Sequence, residues 1–223
     1  MKILAVDTAL GACSAAILDD ETVLAHSFEE MERGHAERLA LMVRETMEDS
    51  GLAFCALDRL AVTVGPGTFT GQRVGYAFMR SLRLALSRPL IGVTTLAGMA
   101  AAAMAEACAK AACVLHDAKR GEVYAYAECN GAVVLPAQLA KLEDATAAMH
   151  SAMESLSGSV AFAGTAGTVA AQSWRERDRQ AVETNVLSPD ALWVARLAIR
   201  ERVPGSIPRP LYLRPPDARL PAG

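Results

Sequence analysis

The sequence predicts an α/β protein made of two lobes with the same order of elements, the second lobe being reduced. Two observations predict this fold. Three short apolar strands come first and are followed by alternating helices and strands, and a similar order begins again after residue 110. A chain of 223 residues can bury one large core or two smaller ones. Its 52% apolar and 21% charged residues are typical of a globular protein.

The first half is predicted to run β-β-β-α-β-α-β-α. Apolar runs bounded by turn residues predict strands, and apolar residues at three- and four-residue spacing predict helices. The predicted strands cover residues 2–7, 13–18, 23–28, 57–64 and 90–93, and the helices cover 35–50, 71–87 and about 95–112. Gly51 ends the first helix, and Thr94 or Thr95 caps the third. This order is typical of a ribonuclease-H-like subdomain, the repeating half of the actin, Hsp70 and sugar-kinase (ASKHA) superfamily.

The second half repeats part of this pattern. Strands are predicted over 113–117, 122–128 and 160–164, and a helix over 142–153. Asn130-Gly131 predicts a tight hairpin, and Ser188-Pro189-Asp190 predicts a helix start with Ser188 as the cap. The predicted organisation is a first lobe over 1–110, a reduced second lobe over 111–203 and a proline-rich tail over 204–223. Within the tail, only residues 211–213 are expected to dock.

Charge and cysteine content narrow the classes of function. The net charge of −3 and the pI near 5.8 argue against nucleic-acid binding by this chain alone, although a local basic patch stays open. Five scattered cysteines without a CxxC pair favour free thiols in a reducing compartment. Asp7 interrupts the first apolar run, and the longest uncharged stretch is alanine-rich, so neither a signal peptide nor a membrane span is expected. We therefore expect a cytoplasmic protein.

The stretch TVGPGTFTGQRVG, residues 63–75, is the strongest local signal. A glycine-rich turn from a strand into a helix aims backbone N–H groups at one point, where the helix dipole favours an anion. The candidate anion-binding residues are Gly65, Gly67, Thr68, Thr70, Gly71 and Arg73. Neither a Walker motif nor GxGxxG is present. The alternative is a structural turn in which Thr70 caps the helix, while Gly71 and Gly75 allow close packing.

Other catalytic signals are weak. The four histidines, at 26, 35, 116 and 150, contain no pair spaced by four residues, so a helical zinc or iron site is not expected. His35 is expected to cap or pack at a helix start. Asp117, Lys119, Arg120 and Glu122 are expected to form a turn with surface ion pairs. Residues 164–168, GTAGT, lack the serine of a nucleophile elbow.

Six segments occur in order along the chain and carry a family resemblance: ILAVDTALGACSAAI, HAERL, VTVGPGTFTGQRVG, GVTTLAGMA, DAKRGEVYA and PLYLRP. Together they resemble the TsaB (YeaZ) family of bacterial proteins. Two positions depart from the family pattern. Gln72 stands where an aliphatic residue is usual, and Ala36 stands where serine is common.

The resemblance implies a non-catalytic subunit. Such a subunit pairs with its larger catalytic paralogue TsaD and with the ATPase TsaE, and the complex attaches threonylcarbamoyl to N6 of adenosine 37 in tRNA. The paralogue holds its metal with two histidines in GVNHLEGH, and Thr95 and Met99 stand at the matching positions here. We therefore expect no metal and no required cofactor, although a nucleotide at a shared interface stays open. Contact with tRNA is expected only through the complex.

The resemblance also implies a partner surface on the helices that follow the three-strand meander and the GPG loop. The residues expected there are Leu39, Met42, Gly75, Phe78, Met79 and Leu82. Without the paralogue, the same surface is expected to form a homodimer. Two alternatives stay open: an ATP-dependent transferase or kinase of the ASKHA superfamily, and a glycoprotease-like metallopeptidase.

Overall fold

The structure is a computed structural model of the chain and describes residues 1–203 and 205–214. Two five-stranded mixed sheets form its framework, which confirms the α/β fold. In the first half the strands are β1 (Lys2–Asp7), β2 (Ala12–Asp19), β3 (Thr22–Glu30), β4 (Arg59–Thr63) and β5 (Leu90–Val93). The helices are α1 (His35–Ser50), α2 (Phe69–Leu86) and α3 (Thr95–Glu106), with a short 3-10 turn at Phe54–Ala56.

The second half contains every element type of the first, in the same order. Its strands are β6 (Ala111–Asp117), β7 (Glu122–Cys129), β8 (Ala132–Lys141), β9 (Val160–Ala163) and β10 (Ala181–Glu183). Its helices are α4 (Leu142–Ala152), α5 (Gly167–Arg175) and α6 (Ala191–Arg200). The sheet orders β3-β2-β1-β4-β5 and β10-β9-β6-β7-β8 correspond strand for strand. The second lobe is therefore reduced in the length of its helices, which have 11, 9 and 10 residues against 16, 18 and 12 in the first half, and not in the number of its strands and α-helices.

The helix boundaries follow from their caps. Gly51, in the left-handed conformation, ends α1, and the side chains of Thr68 and Thr94 accept hydrogen bonds at the starts of α2 and α3. Helix α3 ends at Glu106, several residues before the predicted end. The predicted cap of α6 was wrong, because the side chain of Asp190, and not that of Ser188, accepts the first-turn hydrogen bond from Leu192.

Helices α3 and α6 each pack on the sheet of the other half. Leu96 and Met99 of α3 contact buried residues of β6, β7 and β9, while Val194 and Ala198 of α6 contact buried residues of β1, β2 and β5. Arg59, at the start of β4, donates to the last carbonyl groups of α6. Because of this exchange, α6 belongs by its packing to the first sheet, although the sequence division put it with residues 111–203.

The end of the chain also docks on the first half. Leu211 N–H donates to the Val64 carbonyl at 2.6 Å, and Tyr76 donates its hydroxyl hydrogen to the Pro208 carbonyl at 2.7 Å. Residue 204 and residues 215–223 of the predicted tail lie outside the described residues. Among the residues described, no helix is both long enough and apolar enough for a membrane crossing.

Candidate functional site

The GPG loop, residues 64–68, connects β4 to α2 at one edge of the first sheet. Strands β1, β4 and β5 are parallel there, so their carboxyl ends at Asp7, Thr63 and Val93 lie side by side. In open α/β sheets this edge is where ligands bind. The loop and the turn after β1, residues 8–11, therefore form the candidate functional site.

The loop is pressed against the turn that follows β1. A Cβ atom added to Gly67 would lie less than 3.0 Å from the carbonyl oxygen of Ala9, and one added to Gly71 would lie equally close to that of Thr8. The Thr68 N–H also donates to the Ala9 carbonyl at 2.8 Å. The glycines thus allow two backbone segments of the same chain to touch.

Thr8 joins this contact to helix α2. Its hydroxyl donates to the Gly71 carbonyl at 2.7 Å and accepts from the Gly75 N–H at 3.0 Å. In an undisturbed helix those two backbone groups pair with each other. The buried hydroxyl therefore sits within the first turns of α2. The predicted close packing at Gly71 and Gly75 is confirmed, and the neighbour is the turn after β1.

Several N–H groups at the junction of the loop and α2 already have partners within the chain. Thr68 caps α2 by accepting from Gly71 N–H at 3.1 Å, and its carbonyl accepts from Gln72 N–H at 3.1 Å. Thr70, the cap expected from sequence, is exposed instead. These internal bonds leave fewer donors for an anion and favour the structural interpretation, while anion binding itself stays a prediction.

The side chain of Gln72, in the first turn of α2, lies against Gly65 of the loop. Gly65 has a φ of +105°, which favours glycine, and its carbonyl accepts from Thr95 N–H at 2.9 Å. Gln72 is buried against Gly65, and its Oε1 has no hydrogen-bond partner among the described residues. The unusual glutamine thus fills the junction between loop and helix.

Asp7 is the buried carboxylate of this edge. Its Oδ1 accepts from the Thr63 hydroxyl at 2.5 Å and from Ala9 N–H at 3.2 Å, while Oδ2 has no partner within residues 1–203 and 205–214. Burial raises its pKa from 3.8 to about 7, against the lowering effect of the Thr63 bond. The side chain is fully buried, so a solvent-borne substrate cannot reach it in this conformation.

Arg73 lies on the outer side of the loop, away from Asp7. Its guanidinium carbon is 3.6 Å from the centroid of the Phe69 ring, and its Nε donates to the Tyr212 hydroxyl at 3.5 Å. Phe69 and Tyr212 were not among the residues predicted from sequence to be functional. The proximity of Tyr212 could not have been read from sequence, since it depends on how the tail docks.

The positions of the paralogue's histidines lie in the core. Thr95 and Met99 are both fully buried in α3, and Met99 packs against buried residues of the second sheet. No group of three or more metal-binding side chains occurs within the described part of the chain.

The predicted partner surface needs correction at four of its six residues. Leu39, Met42, Gly75 and Met79 are buried in this chain's own first lobe, so they cannot contact a partner in this conformation. Phe78 and Leu82 are half-buried and stay candidates. The sequence prediction missed Leu41, which is 45% exposed on α1. Helical spacing alone does not say which apolar stripe faces the core.

The remaining predicted polar residues have structural contacts. His35 Nε2 lies 3.2 Å from the Leu10 carbonyl oxygen at the start of α1. Asp117 pairs with Lys119 at 3.2 Å across an exposed turn, which confirms the predicted surface pairing there. His116 is buried, and this burial lowers its pKa to about 4, so it is neutral near pH 7.

The two matching sheets give the chain the fold of the actin, Hsp70 and sugar-kinase class. The activator of 2-hydroxyisocaproyl-CoA dehydratase from Clostridium difficile, solved with bound ADPNP, shares this fold with a TM-score of 0.51. It is 13% identical over 89% of this chain and 94% of its own chain, a likeness of fold alone.

Closer similarities identify the family. A family model described as TsaD, tRNA N6-adenosine threonylcarbamoyltransferase, matches residues 22–190. The tRNA threonylcarbamoyladenosine biosynthesis protein TsaB of Escherichia coli is 43% identical over 124 residues, covering 56% of this chain and 53% of that protein. YeaZ from Pseudomonas aeruginosa superposes with a TM-score of 0.66 at 30% identity, covering 88% of this chain and 90% of that one. The chain belongs to the TsaB/YeaZ family. It spans about half the length of the curated TsaB proteins of Escherichia coli and Haemophilus influenzae that it matches.

Proposed function

We propose that this chain is a non-catalytic subunit of a complex that makes threonylcarbamoyladenosine in tRNA. It pairs with a TsaD-type catalytic paralogue and works with a TsaE-type ATPase. The family match and the names of its TsaB relatives support the pathway. The proposal that this chain is non-catalytic, while its paralogue is catalytic, is supported by the residues of the site itself.

The main support for the proposal is that the sheet edge where this fold binds ligands is filled by backbone of the same chain. Gly67 and Gly71 bring the GPG loop into contact with Ala9 and Thr8 of the same chain. Asp7, at the end of β1, is fully buried beneath that contact. A nucleotide phosphate needs free donors and room at such a loop, and here the space is taken by backbone.

The positions aligned with the paralogue's metal ligands support the same division. Thr95 and Met99 offer a hydroxyl and a thioether in place of two imidazoles, and both are buried. The ATP-dependent rival requires an open nucleotide site, and the metallopeptidase rival requires imidazole ligands. Both are less well supported than a subunit that acts by binding its partner.

The surface proposed for the partner is formed by Phe78 and Leu82 of α2 and by Leu41 of α1. Phe78 and Leu82 are four residues apart on α2, so they lie on one face of the helix, and they are half-buried. Leu41 adds an exposed apolar side chain on α1. An apolar seam between neighbouring helices is a surface on which a helix pair of a partner, or of a second copy, can pack.

Reconstitution tests the proposal. The purified chain is combined with the TsaD-type protein, the TsaE-type protein, ATP, threonylcarbamoyl-adenylate and unmodified tRNA, and each component is then omitted in turn. Modified nucleoside, measured by mass spectrometry after digestion, is expected only when both this chain and the TsaD-type protein are present. Modification by this chain alone, or full modification in its absence, would overturn the proposal.

A further inference from the structure

Helix α2 exposes a face that the proposed partner surface does not use. Residues 69, 73, 77, 80 and 84 follow helical spacing, so they form one stripe, and all five are exposed. Phe78 and Leu82 lie on another side of the helix, against the hydrophobic core of the first lobe. The stripe contains Phe69, Arg73, Ala77, Arg80 and Leu84.

The charge of this helix is opposite to that of the chain. Helix α2 carries Arg73, Arg80 and Arg83 and no acidic residue, whereas the chain as a whole has a net charge of −3. Within residues 1–203 and 205–214, none of these three arginines forms an ion pair. Arg73 and Arg80, both on the exposed stripe, form the local basic patch that overall composition left open.

Two exposed aromatic rings adjoin the first arginine. Phe69 is 52% exposed and Tyr212 is 45% exposed, and their ring centroids are 6.0 Å apart at an angle of 40°. The Arg73 guanidinium lies over the Phe69 ring. The tail holds Tyr212 in place through the Leu211 backbone bond to Val64. We call Phe69, Arg73, Tyr212 and Arg80 the α2 platform.

We propose that the α2 platform binds single-stranded RNA, with unpaired bases stacking on Phe69 and Tyr212 and with Arg73 and Arg80 contacting phosphates. Exposed aromatic rings beside arginine guanidinium groups are the combination by which proteins hold unstacked bases. Arg73 and Arg80 stand about 10 Å apart along the helix axis, since each residue adds about 1.5 Å. The platform therefore presents stacking surface at one end and positive charge along its length.

Charge favours RNA over a protein as the occupant. Apart from the two rings, the only large apolar side chain on the stripe is Leu84, at the far end of the helix. Helix-in-groove docking by a protein would require an apolar stripe of several anchors. A helix with three arginines and no acidic residue instead complements a phosphate backbone. The inference rests on the proposed function for its substrate, the unpaired nucleotides of a tRNA loop.

Fluorescence anisotropy with a labelled oligouridylate of about 12 nucleotides, a length within the site sizes of single-strand-binding domains, tests the binding. It is measured on the chain alone and on its complex with the TsaD-type protein. Phe69→Ala is expected to weaken binding about tenfold through loss of one stacked base, whereas Phe69→Trp restores it. The Arg73→Gln/Arg80→Gln pair is expected to lower the slope of log affinity against log salt by about 1.4. Leu84→Ala, on the same stripe, serves as the matched control and leaves binding unchanged.

Crosslinking locates the contact directly. An oligonucleotide carrying 4-thiouridine is irradiated with the wild-type complex, and crosslinked peptides are identified by mass spectrometry. Crosslinks to the peptides holding Phe69 or Tyr212 support the proposal. Wild-type affinity in Phe69→Ala and in the arginine pair, with circular dichroism showing all variants folded, overturns it. The proposal also fails if Phe69→Ala abolishes co-elution with the TsaD-type protein while the RNA affinity of the chain alone is unchanged, since the face is then a protein interface.

The two proposals fail separately. If wild-type chain is required for tRNA modification but platform variants modify and bind RNA normally, the platform is wrong and the proposed function stands. If the chain is dispensable for modification but loses RNA binding in Phe69→Ala, the proposed function is wrong and the platform stands.

Discussion

Replacing Gly71 by alanine tests whether contact with the turn after β1, and not helix propensity, governs this position. In an isolated helix the change Gly71→Ala stabilises by about 1 kcal/mol. Here the new Cβ atom would lie less than 3.0 Å from the Thr8 carbonyl oxygen and 2.6 Å from the Thr68 hydroxyl oxygen. One obstacle is backbone, so it cannot rotate away.

The expected destabilisation follows from what must move. Relief of the clash shifts the start of α2 away from Thr8, which lengthens the two hydrogen bonds that the Thr8 hydroxyl makes to Gly71 and Gly75. Each is worth about 1 kcal/mol, and overpacking in a closed contact adds about 1–3 kcal/mol. After the gain in helix propensity, Gly71→Ala should lower the free energy of unfolding by about 3 kcal/mol.

Gly98→Ala provides the matched control. Gly98 also lies inside a helix, but its nearest neighbour to an added Cβ is a Val194 methyl group at 3.7 Å, an ordinary contact. Gly98→Ala should therefore be neutral or stabilising by up to about 1 kcal/mol. Urea unfolding followed by circular dichroism measures both variants, and in thermal melts Gly71→Ala should lose about 6–12 °C. A Gly71→Ala protein as stable as Gly98→Ala would refute the close-contact reasoning.

Three further predictions concern the same lobe. Gly75→Ala, whose Cβ would lie 2.6 Å from the Thr8 hydroxyl, should cost at least about 1 kcal/mol less in a Thr8→Ala background, as a double-mutant cycle of unfolding energies would reveal. Burial raises the pKa of Asp7 from 3.8 to about 7, so between these pH values the folded state holds a proton that the unfolded state has released. The free energy of unfolding should therefore fall by on the order of a few kcal/mol as the pH rises from about 4 to 7. Asp7→Asn should remove this fall, as urea unfolding at several pH values would measure. Phe78→Asp should weaken co-elution with a TsaD-type protein while leaving circular dichroism unchanged, whereas Met79→Asp, fully buried next to it, should unfold the lobe.

Each of these has a contrary outcome. Equal costs of Gly75→Ala in both backgrounds would mean that the hydroxyl is not the obstacle. A pH slope that survives in Asp7→Asn would assign the titration to another group. A folded Phe78→Asp variant that co-elutes normally would remove that residue from the partner surface.

Much of the fold could be predicted from the residues. Helix α1 has the bounds predicted from sequence, since its apolar residues keep helical spacing and Gly51 supplies a left-handed end. Helix α5 and strand β10 were missed because they are short, with 9 and 3 residues, and carry weak periodicity. The loop was also predicted, but the sequence could not separate candidate residues whose N–H groups are free from those whose N–H groups are already bonded. Sequence does not show that the N–H groups of Thr68 and Gly71 are already bonded within the chain.

Local chemistry determined most of the order of strands and helices and the position of the GPG turn, because propensity and capping act between residues close in sequence. The tertiary structure alone decided which neighbour those glycines meet, which apolar stripe of α2 is buried and which sheet α6 covers. It also brought Tyr212 beside Phe69, to complete the α2 platform. These contacts join residues far apart in the chain, and their geometry depends on how the two sheets and the tail pack together, which no local pattern records.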